Sequence, residues 1–272
     1  MLFSSCLPSI RESVIQPENV EVVLESRLTD NESVVDVISR PGVTQRFILK
    51  ESPGPVAFLI LFAGGHGNLN INNYGELQWG RGNFLVRSSD HFVTNGFSVA
   101  IVDAPSDRKP RGMLHGFRAS GTHAIDIAAV IRFLKMKADI PVWMVGTSRG
   151  TISAVNCSVR IGRNGVSGLV LTSSLTRPNK SGVYMFKMPL SDISVPTLVT
   201  HHRDDGCPLT PYHDAPLIIE RLSNAPVTEL ISFKGGYQPK SKPCDALSQH
   251  GYYGIESNVV DTISAWIRKE IQ

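Results

Sequence analysis

The chain has 272 residues, of which 42% are hydrophobic and 19% charged, a balance that allows a full core and excludes an intrinsically disordered protein. Its 27 basic and 24 acidic residues give a formal net charge of +3, and without a long block of like charge the chain is not expected to bind nucleic acid or anionic lipid. Every apolar run is far shorter than the roughly 18 residues of a membrane-spanning helix. We therefore expect a small-molecule partner and no membrane span, while no sequence feature specifies an oligomeric state.

The whole chain, residues 1–272, is expected to form one domain, because no repeat, low-complexity stretch or linker divides it. Residues 1–20 are expected to be an extended N-terminal segment. Met1–Cys6 has neither the basic start nor the long apolar stretch of a secretory signal. The four cysteines are too few for a disulfide scaffold, and no C-x-x-C pair indicates zinc or redox chemistry.

The first predicted elements are short strands rich in β-branched residues and joined by turn residues. They are Glu21–Leu24, Ser33–Ile38 and Gln45–Leu49. Thr29-Asp30-Asn31 and Pro41-Gly42 supply the turn chemistry between them. This pattern predicts an antiparallel hairpin at the edge of a sheet.

Farther along the chain, short continuous apolar runs alternate with stretches of helical periodicity. The apolar runs are Val56–Phe62, Phe97–Val102, Val142–Val145, Gly168–Thr172, Thr197–Thr200 and Val227–Phe233. One helix is indicated between Ile127 and Leu134, where apolar residues recur at helical spacing, and a last helix over Val259–Lys269. The alternation predicts an α/β protein with a mainly parallel central sheet, an antiparallel N-terminal edge hairpin and helices on both faces.

A strand-turn-helix segment carries the strongest catalytic signal. Val142–Val145 leads into Gly146-Thr147-Ser148-Arg149-Gly150, a G-x-S-x-G sequence, and the next residues can begin a helix. The two glycines permit a turn so tight that the Ser148 hydroxyl stands above the sheet, and the helix N-terminus behind it favours negative charge. We interpret Ser148 as a nucleophile; the alternative is a tight turn with a solvent-exposed serine.

A glycine-rich loop follows the strand Val56–Phe62. The loop is Ala63-Gly64-Gly65-His66-Gly67, and its glycines let the backbone approach a substrate oxygen closely. It is neither G-x-G-x-x-G nor a P-loop with its lysine, so a phosphate-binding loop is the weaker interpretation. We expect Gly64 or Gly65 to donate one backbone N–H to an oxyanion and Arg149, after the nucleophile, to donate the other.

A serine nucleophile requires a histidine base that a carboxylate orients. The strand Thr197–Thr200 opens into His201-His202-Arg203-Asp204-Asp205, which places two aspartates just past a late strand. His250 precedes the last predicted helix and completes the chain order Ser, Asp, His. Histidine and aspartate also bind zinc, but adjacent ligands without a distant partner make a metal site the weaker interpretation.

These elements together resemble the α/β-hydrolase superfamily over residues 45–272. The segment His201–Cys207, with Cys244 and His250-Gly251, is similar to a bacterial subgroup of serine esterase-like members of unknown substrate. The resemblance implies hydrolysis of an ester, thioester or amide through an acyl-enzyme, without a cofactor.

The resemblance also favours one of the two aspartates. Asp205 matches the fixed position of the acid, and Asp204 is the runner-up. The chain departs from the common pattern at Ala63, because superfamily members carry a histidine before the oxyanion loop. The oxyanion donor from this loop is therefore less defined than the nucleophile.

If the triad assembles, the acid loop and the base loop lie side by side and bring Cys207 and Cys244 within bonding range. We expect a disulfide between them, with two buried thiols as the alternative. A disulfide indicates an oxidising compartment and hence a periplasmic or secreted protein. A cytoplasmic location is the alternative, and the lack of a visible signal segment favours it.

The expected function is that of a carboxylesterase-like serine hydrolase that cleaves an acyl bond of a small molecule with this triad. Candidate substrate-binding residues are His66, Trp79 and Asp103, although Asp103 is equally suited to capping the next turn. Met185–Met188 are candidates for covering the pocket. The alternatives are a peptidase or acyltransferase with the same triad, and a non-catalytic binding module.

Overall fold

One sheet of nine strands organises the protein in a computed structural model that describes residues 20–179 and 182–272. Its strands are β1 (Val22–Thr29), β2 (Glu32–Arg40), β3 (Val43–Lys50), β4 (Phe58–Phe62), β5 (Ser98–Val102), β6 (Val142–Thr147), β7 (Gly168–Thr172), β8 (Thr197–His202) and β9 (Thr228–Phe233). The α-helices of the described residues are α1 (Phe84–Arg87), α2 (Ser89–Thr94), α3 (Gly121–Lys137), α4 (Gly150–Ile161), α5 (Ala215–Arg221) and α6 (Glu256–Ile271). Residues 1–19 of the predicted extended segment lie outside the described residues.

The first three strands form an antiparallel meander at one edge of the sheet, which confirms the predicted edge hairpin. Val35 of β2 pairs with Phe47 of β3, and Gly42 at φ +71° lies in the turn between these strands. β1 is longer than predicted, because it is an outer strand with exposed or half-buried side chains and carries polar residues along its length. β3 pairs antiparallel with β5 and joins this edge to the rest of the sheet.

The remaining strands run parallel in the order β5-β4-β6-β7-β8-β9. Every residue of β4, β5 and β7 is buried, because helices cover both faces of this part of the sheet. The predicted fold class is therefore confirmed. Parallel strands bring their carboxyl ends to one edge, so the loops after β4, β6 and β8 meet there.

Helices α3, α4 and α5 contribute to the core on one face of the sheet, and α1, α2 and α6 contribute to the core on the other. Helix α3 begins after Ser120, whose hydroxyl accepts a hydrogen bond from the His123 amide at 3.1 Å. The helices α1, α2 and α5 have four, six and seven residues, too few to produce the apolar periodicity that predicts a helix. Among the described residues, no helix is long and apolar enough to cross a membrane.

Candidate active site

Ser148 lies in the turn between β6 and α4 with φ at +52°, a left-handed conformation that is strained for a residue with a side chain. Glycine is required on both sides of it by close packing. A Cβ at Gly146 would lie 2.6 Å from the Gly150 carbonyl oxygen, and a Cβ at Gly150 would lie 2.0 Å from that of Phe62. The G-x-S-x-G segment therefore forms the tight turn that the sequence predicts, and the structure holds Ser148 between two strands and a helix.

Ser148 and His250 line the same cleft, which has a volume of about 280 Å³. One wall is the glycine-rich loop after β4, a second is the segment from Trp79 to Phe84, and a third is the segment from Cys244 to Ala246. The carboxyl edge of the sheet thus brings the predicted nucleophile, the predicted base and the predicted oxyanion loop to one cavity.

His250 is buried and is held by its backbone as well as by its ring. Its amide donates to the Ser248 hydroxyl at 3.2 Å, and its carbonyl accepts from the Ser173 hydroxyl at 2.9 Å. Its Nδ1 lies 2.9 Å from Oδ2 of Asp205. Because an ionised carboxylate only accepts, Nδ1 carries the proton in this contact, and Nε2 is the ring nitrogen available to a nucleophile.

The structure pairs His250 with Asp205 and not with Asp204. Asp205 is buried, and its Oδ1 accepts the Cys207 amide at 2.9 Å while its Oδ2 accepts the Thr210 hydroxyl at 2.9 Å. Burial alone would raise the Asp205 pKa, but hydrogen bonds from His201 and His250 hold that pKa well below its usual range. Asp204 is exposed, and its amide donates to the ring of His202.

A disulfide joins Cys207 to Cys244, which confirms the predicted bridge. Cys207 follows Asp205 by two residues, and Cys244 lines the cleft six residues before His250. The bridge therefore ties the loop that carries the carboxylate to the loop that carries the imidazole.

The glycine-rich loop lies directly against the nucleophile turn. A Cβ at Gly64 would lie 3.1 Å from Cβ of Ser148. Gly65 has φ at +57°, and a Cβ there would lie 2.4 Å from the Trp79 ring. Arg149, the other predicted oxyanion donor, is the N-cap residue of α4. Neither position of the loop has room for a larger residue without movement of its neighbours.

The sequence analysis missed Arg118, a buried residue that supports this loop. Its guanidinium donates to the Ala63 carbonyl at 2.8 Å and to the Ser153 hydroxyl at 2.8 Å. Burial, together with the nearby Arg149 charge, lowers the pKa of Arg118 to about 9. Its position in a three-residue turn before α3 gives no sequence pattern that would reveal this contact.

Only one of the three predicted substrate-binding residues lines the cleft that the described residues form. Trp79 does so, and its ring packs on that of His66, which does not line the cleft, with centroids 3.9 Å apart. Asp103 is fully buried away from the cleft. Its carboxylate accepts the backbone amides of Leu69 at 2.7 Å and Ile71 at 2.9 Å, so it organises an earlier loop and not the next turn that the capping alternative named.

Met185 does not cover the cleft, because it is fully buried in the core cluster to which α3, α4 and α5 contribute. Phe186 and Met188 pack against the same core. The apolar character of this segment therefore reflects core packing and not the cover over the pocket that the sequence suggested.

Comparison with known proteins finds similarity in structure only. No family model and no curated protein matches the chain. An α/β serine hydrolase without a lid from Xanthomonas campestris is 12% identical with a TM-score of 0.61, covering 89% of this chain and 96% of that chain. A cold-adapted esterase from an Arctic intertidal metagenomic library is 14% identical with a TM-score of 0.58, covering 89% and 96%. Dienelactone hydrolase from Anabaena variabilis is 13% identical with a TM-score of 0.59, covering 94% and 100%.

Proposed function

We propose that this chain, which has the α/β-hydrolase fold, is a serine hydrolase that cleaves an acyl bond of a small molecule with Ser148, His250 and Asp205. One observation carries the proposal. The strained Ser148 shares a cleft with His250, and the Nδ1 of that imidazole lies 2.9 Å from a buried carboxylate. Strained backbone at non-glycine residues clusters at active sites, and a serine hydroxyl, an imidazole and a buried carboxylate are the groups that acyl transfer needs.

In the first half of the reaction, Ser148 Oγ attacks the acyl carbon while His250 Nε2 takes the hydroxyl proton. The carbonyl π bond opens, and its electron pair forms the oxyanion. The backbone N–H groups of Arg149 and of Gly64 or Gly65 stabilise that charge. The oxyanion's electron pair then re-forms the carbonyl as the bond from the acyl carbon to the leaving oxygen breaks, and His250 gives its proton to that oxygen, which leaves an acyl-enzyme.

In the second half, water replaces the leaving alcohol. His250 Nε2 takes a proton from water as the water oxygen attacks the acyl carbon. His250 then gives this proton to Ser148 Oγ when the bond between the acyl carbon and Ser148 Oγ breaks. Asp205 stays ionised throughout, because it stabilises the imidazolium without accepting its proton. The chemistry uses side chains, backbone N–H groups and water, so the proposal includes no cofactor.

The cleft and the disulfide support two narrower parts of the proposal. A volume of about 280 Å³ and the Trp79 ring in the wall suit a small acyl group, and we assign the substrate to the ester class. The bridge between Cys207 and Cys244 favours an oxidising compartment, hence a periplasmic or secreted protein.

Labelling with a fluorophosphonate probe tests the proposal, because the probe reacts with an activated serine. We expect the native protein to be labelled and the variants Ser148→Ala and His250→Ala to be unlabelled, with folding checked by circular dichroism. The matched controls are Ser191→Ala and His213→Ala, at exposed positions outside the cleft, which should label as the native protein does. A folded native protein that stays unlabelled would refute the hydrolase and favour the non-catalytic binding module.

A panel of nitrophenyl esters of increasing acyl length then tests the ester class and the size of the acyl group. Hydrolysis should be fastest with short acyl chains, because the cleft is small. Added hydroxylamine or alcohol distinguishes an acyltransferase, which would release the acyl group to the added acceptor faster than to water.

A further inference from the structure

A second buried histidine, which is not among the residues that line the cleft, contacts the proposed acid. His201 is the fifth residue of β8, and its side chain is 1% exposed. Its Nε2 lies 2.8 Å from the Thr210 carbonyl oxygen and 3.2 Å from Oδ2 of Asp205. One carboxylate oxygen, Oδ2 of Asp205, therefore contacts two imidazole rings, those of His201 and His250.

The groups around His201 determine which of its ring nitrogens carries the hydrogen. Both groups near Nε2 are acceptors, a carbonyl and an ionised carboxylate, so Nε2 carries the hydrogen and shares it between them. The other ring nitrogen, Nδ1, is buried without a hydrogen-bond partner in the part of the chain that the structure describes. A neutral ring with Nε2–H fits this site, since a second proton on Nδ1 would be buried unpaired.

We propose that His201 is a positioning residue that holds Asp205 against His250 by donating one N–H to both Asp205 and Thr210. This inference deepens the proposed function and rests on it. Thr210 completes the arrangement, because its hydroxyl lies 2.9 Å from Oδ2 of Asp205 and 3.0 Å from Nδ1 of His250. By fixing the Thr210 carbonyl, His201 also fixes the hydroxyl of the same residue beside the proposed triad.

His201 also supports the charge that the mechanism needs on the acid. Burial of Asp205 raises its pKa. Of the contacts that lower this pKa, the hydrogen bond from His201 has the largest effect. Without this donor the Asp205 carboxylate would remain buried but would make one hydrogen bond fewer. Its orientation towards His250 would then be less firmly fixed.

The adjacent residue offers a matched control. His202 is also buried and also on β8, but its Nε2 lies 3.0 Å from the Gly235 carbonyl oxygen and its Nδ1 accepts the Asp204 amide. A change at His202 therefore disturbs a buried imidazole of the same strand without removing a contact to Asp205.

Two substitutions separate positioning from simple support of the fold. His201→Phe keeps the ring and removes the donor, and we expect kcat for ester hydrolysis to fall roughly ten- to hundredfold with KM little changed. His201→Gln can place an N–H near the position of Nε2 and should recover most of the native kcat, while His202→Gln should stay near native. Rates are expressed per folded molecule, measured by circular dichroism. A folded His201→Phe variant with native kcat would overturn the proposal, and so would a folded His201→Gln variant no more active than His201→Phe.

A measurement on the native protein needs neither activity nor a variant. In protein labelled with nitrogen-15, the ring shifts of His201 should show a neutral imidazole protonated at Nε2, with a protected N–H that exchanges slowly with solvent. A ring protonated at Nδ1 instead would refute the proposal even if His201→Phe fails to fold. Because this readout does not depend on labelling of Ser148, failure of His201 as a positioning residue and failure of the hydrolase proposal are told apart.

Discussion

The Cys207 amide donates a hydrogen bond of 2.9 Å to Oδ1 of Asp205, and the side chain of the same residue is bonded to Cys244. One residue therefore connects the proposed acid to the wall of the cleft. Movement of the base loop away from the acid loop would pull on a residue that holds the carboxylate in place.

Loss of the disulfide should lower both stability and activity. The bridge closes a segment with a sequence separation of 37. For Cys244→Ser we expect the free energy of unfolding to fall by about 4 kcal/mol, because the unfolded chain gains freedom. We also expect kcat to fall, because the Cys207 amide is no longer anchored. Urea denaturation and ester hydrolysis measure the two effects.

A reductant supplies the control for this prediction. It should bring the native protein to the stability of Cys244→Ser and leave that variant unchanged. Cys157→Ala, which alters the buried free cysteine, should respond to reductant as the native protein does. A native protein whose unfolding is insensitive to complete reduction would contradict the prediction.

Asp205 and Asp204 are adjacent in sequence but should differ widely in effect. Asp205→Asn removes the charge that stabilises the imidazolium and permits the wrong ring tautomer, so kcat should fall roughly a thousand- to ten-thousandfold. Asp204→Asn is the matched control and should change kcat little, since that side chain is exposed. The kcat of steady-state ester hydrolysis by the two folded variants shows which aspartate is the acid. A larger loss of kcat for Asp204→Asn than for Asp205→Asn would reverse the assignment.

Gly150→Ala should disrupt the nucleophile turn. Its new Cβ would lie 2.0 Å from the Phe62 carbonyl oxygen, and backbone must move to relieve the clash. We expect the free energy of unfolding to fall by roughly 2 to 3 kcal/mol, with a loss of kcat because Ser148 moves relative to the oxyanion loop. Urea denaturation and kcat are the measurements.

The control for this substitution is Gly42→Ala. Gly42 has φ at +71° and open space within 4 Å of its Cβ position, so the change adds backbone strain without a clash. It should lower the free energy of unfolding by about 1 kcal/mol and leave kcat unchanged. Equal effects of the two substitutions on kcat would show that the tight turn is not what places Ser148.

His123 should make the protein sensitive to acid. Burial, together with the nearby Arg118 charge, lowers the pKa of His123 to about 3, and neither ring nitrogen has a hydrogen-bond partner among the described residues. In the unfolded chain a histidine titrates near 6.5, so below that pH the unfolded state binds a proton that the folded state does not. The free energy of unfolding is therefore unaffected by His123 above about pH 6.5 and falls progressively as the pH drops towards 3. The loss is about 2 kcal/mol at pH 5.

His123→Phe should remove most of this loss, because the new ring packs between Phe62 and Phe117 and carries no titrating group. The free energy of unfolding at pH 7.5 and pH 5, from urea denaturation, gives the slope for each variant. The exposed His115→Asn is the control and should keep the native slope. An unchanged slope in His123→Phe would assign the acid sensitivity to another group.

The sequence predicted best what local patterns determine. The continuous apolar runs of β4 and β6 are visible because both faces of these strands are buried, and Ser148 is visible because a tight strand-to-helix turn requires glycines at fixed positions. β1 was predicted too short because an outer strand needs no continuous apolar run, and its polar residues resemble a loop.

Contacts between distant segments were predicted poorly. Asp103 has the same sequence context whether it faces substrate or accepts backbone amides, and only the folded loop shows that it does the latter. Arg118 lies 55 residues from the Ala63 carbonyl that it contacts, and His201 meets Asp205 only because the acid loop turns back on β8. The disulfide was predictable because it depends on two loops that the triad itself must bring together.

The loop from Cys244 to His250 forms one wall of the cleft and also holds the proposed base. Mutations that reshape this wall to change substrate preference are therefore expected to disturb His250 as well, because the wall and the proposed base belong to one loop. The wall from Trp79 to Phe84 carries none of the proposed triad, and it is where selection for new substrates has the most freedom. Variation among natural relatives, and productive mutations in a directed evolution experiment, should concentrate there.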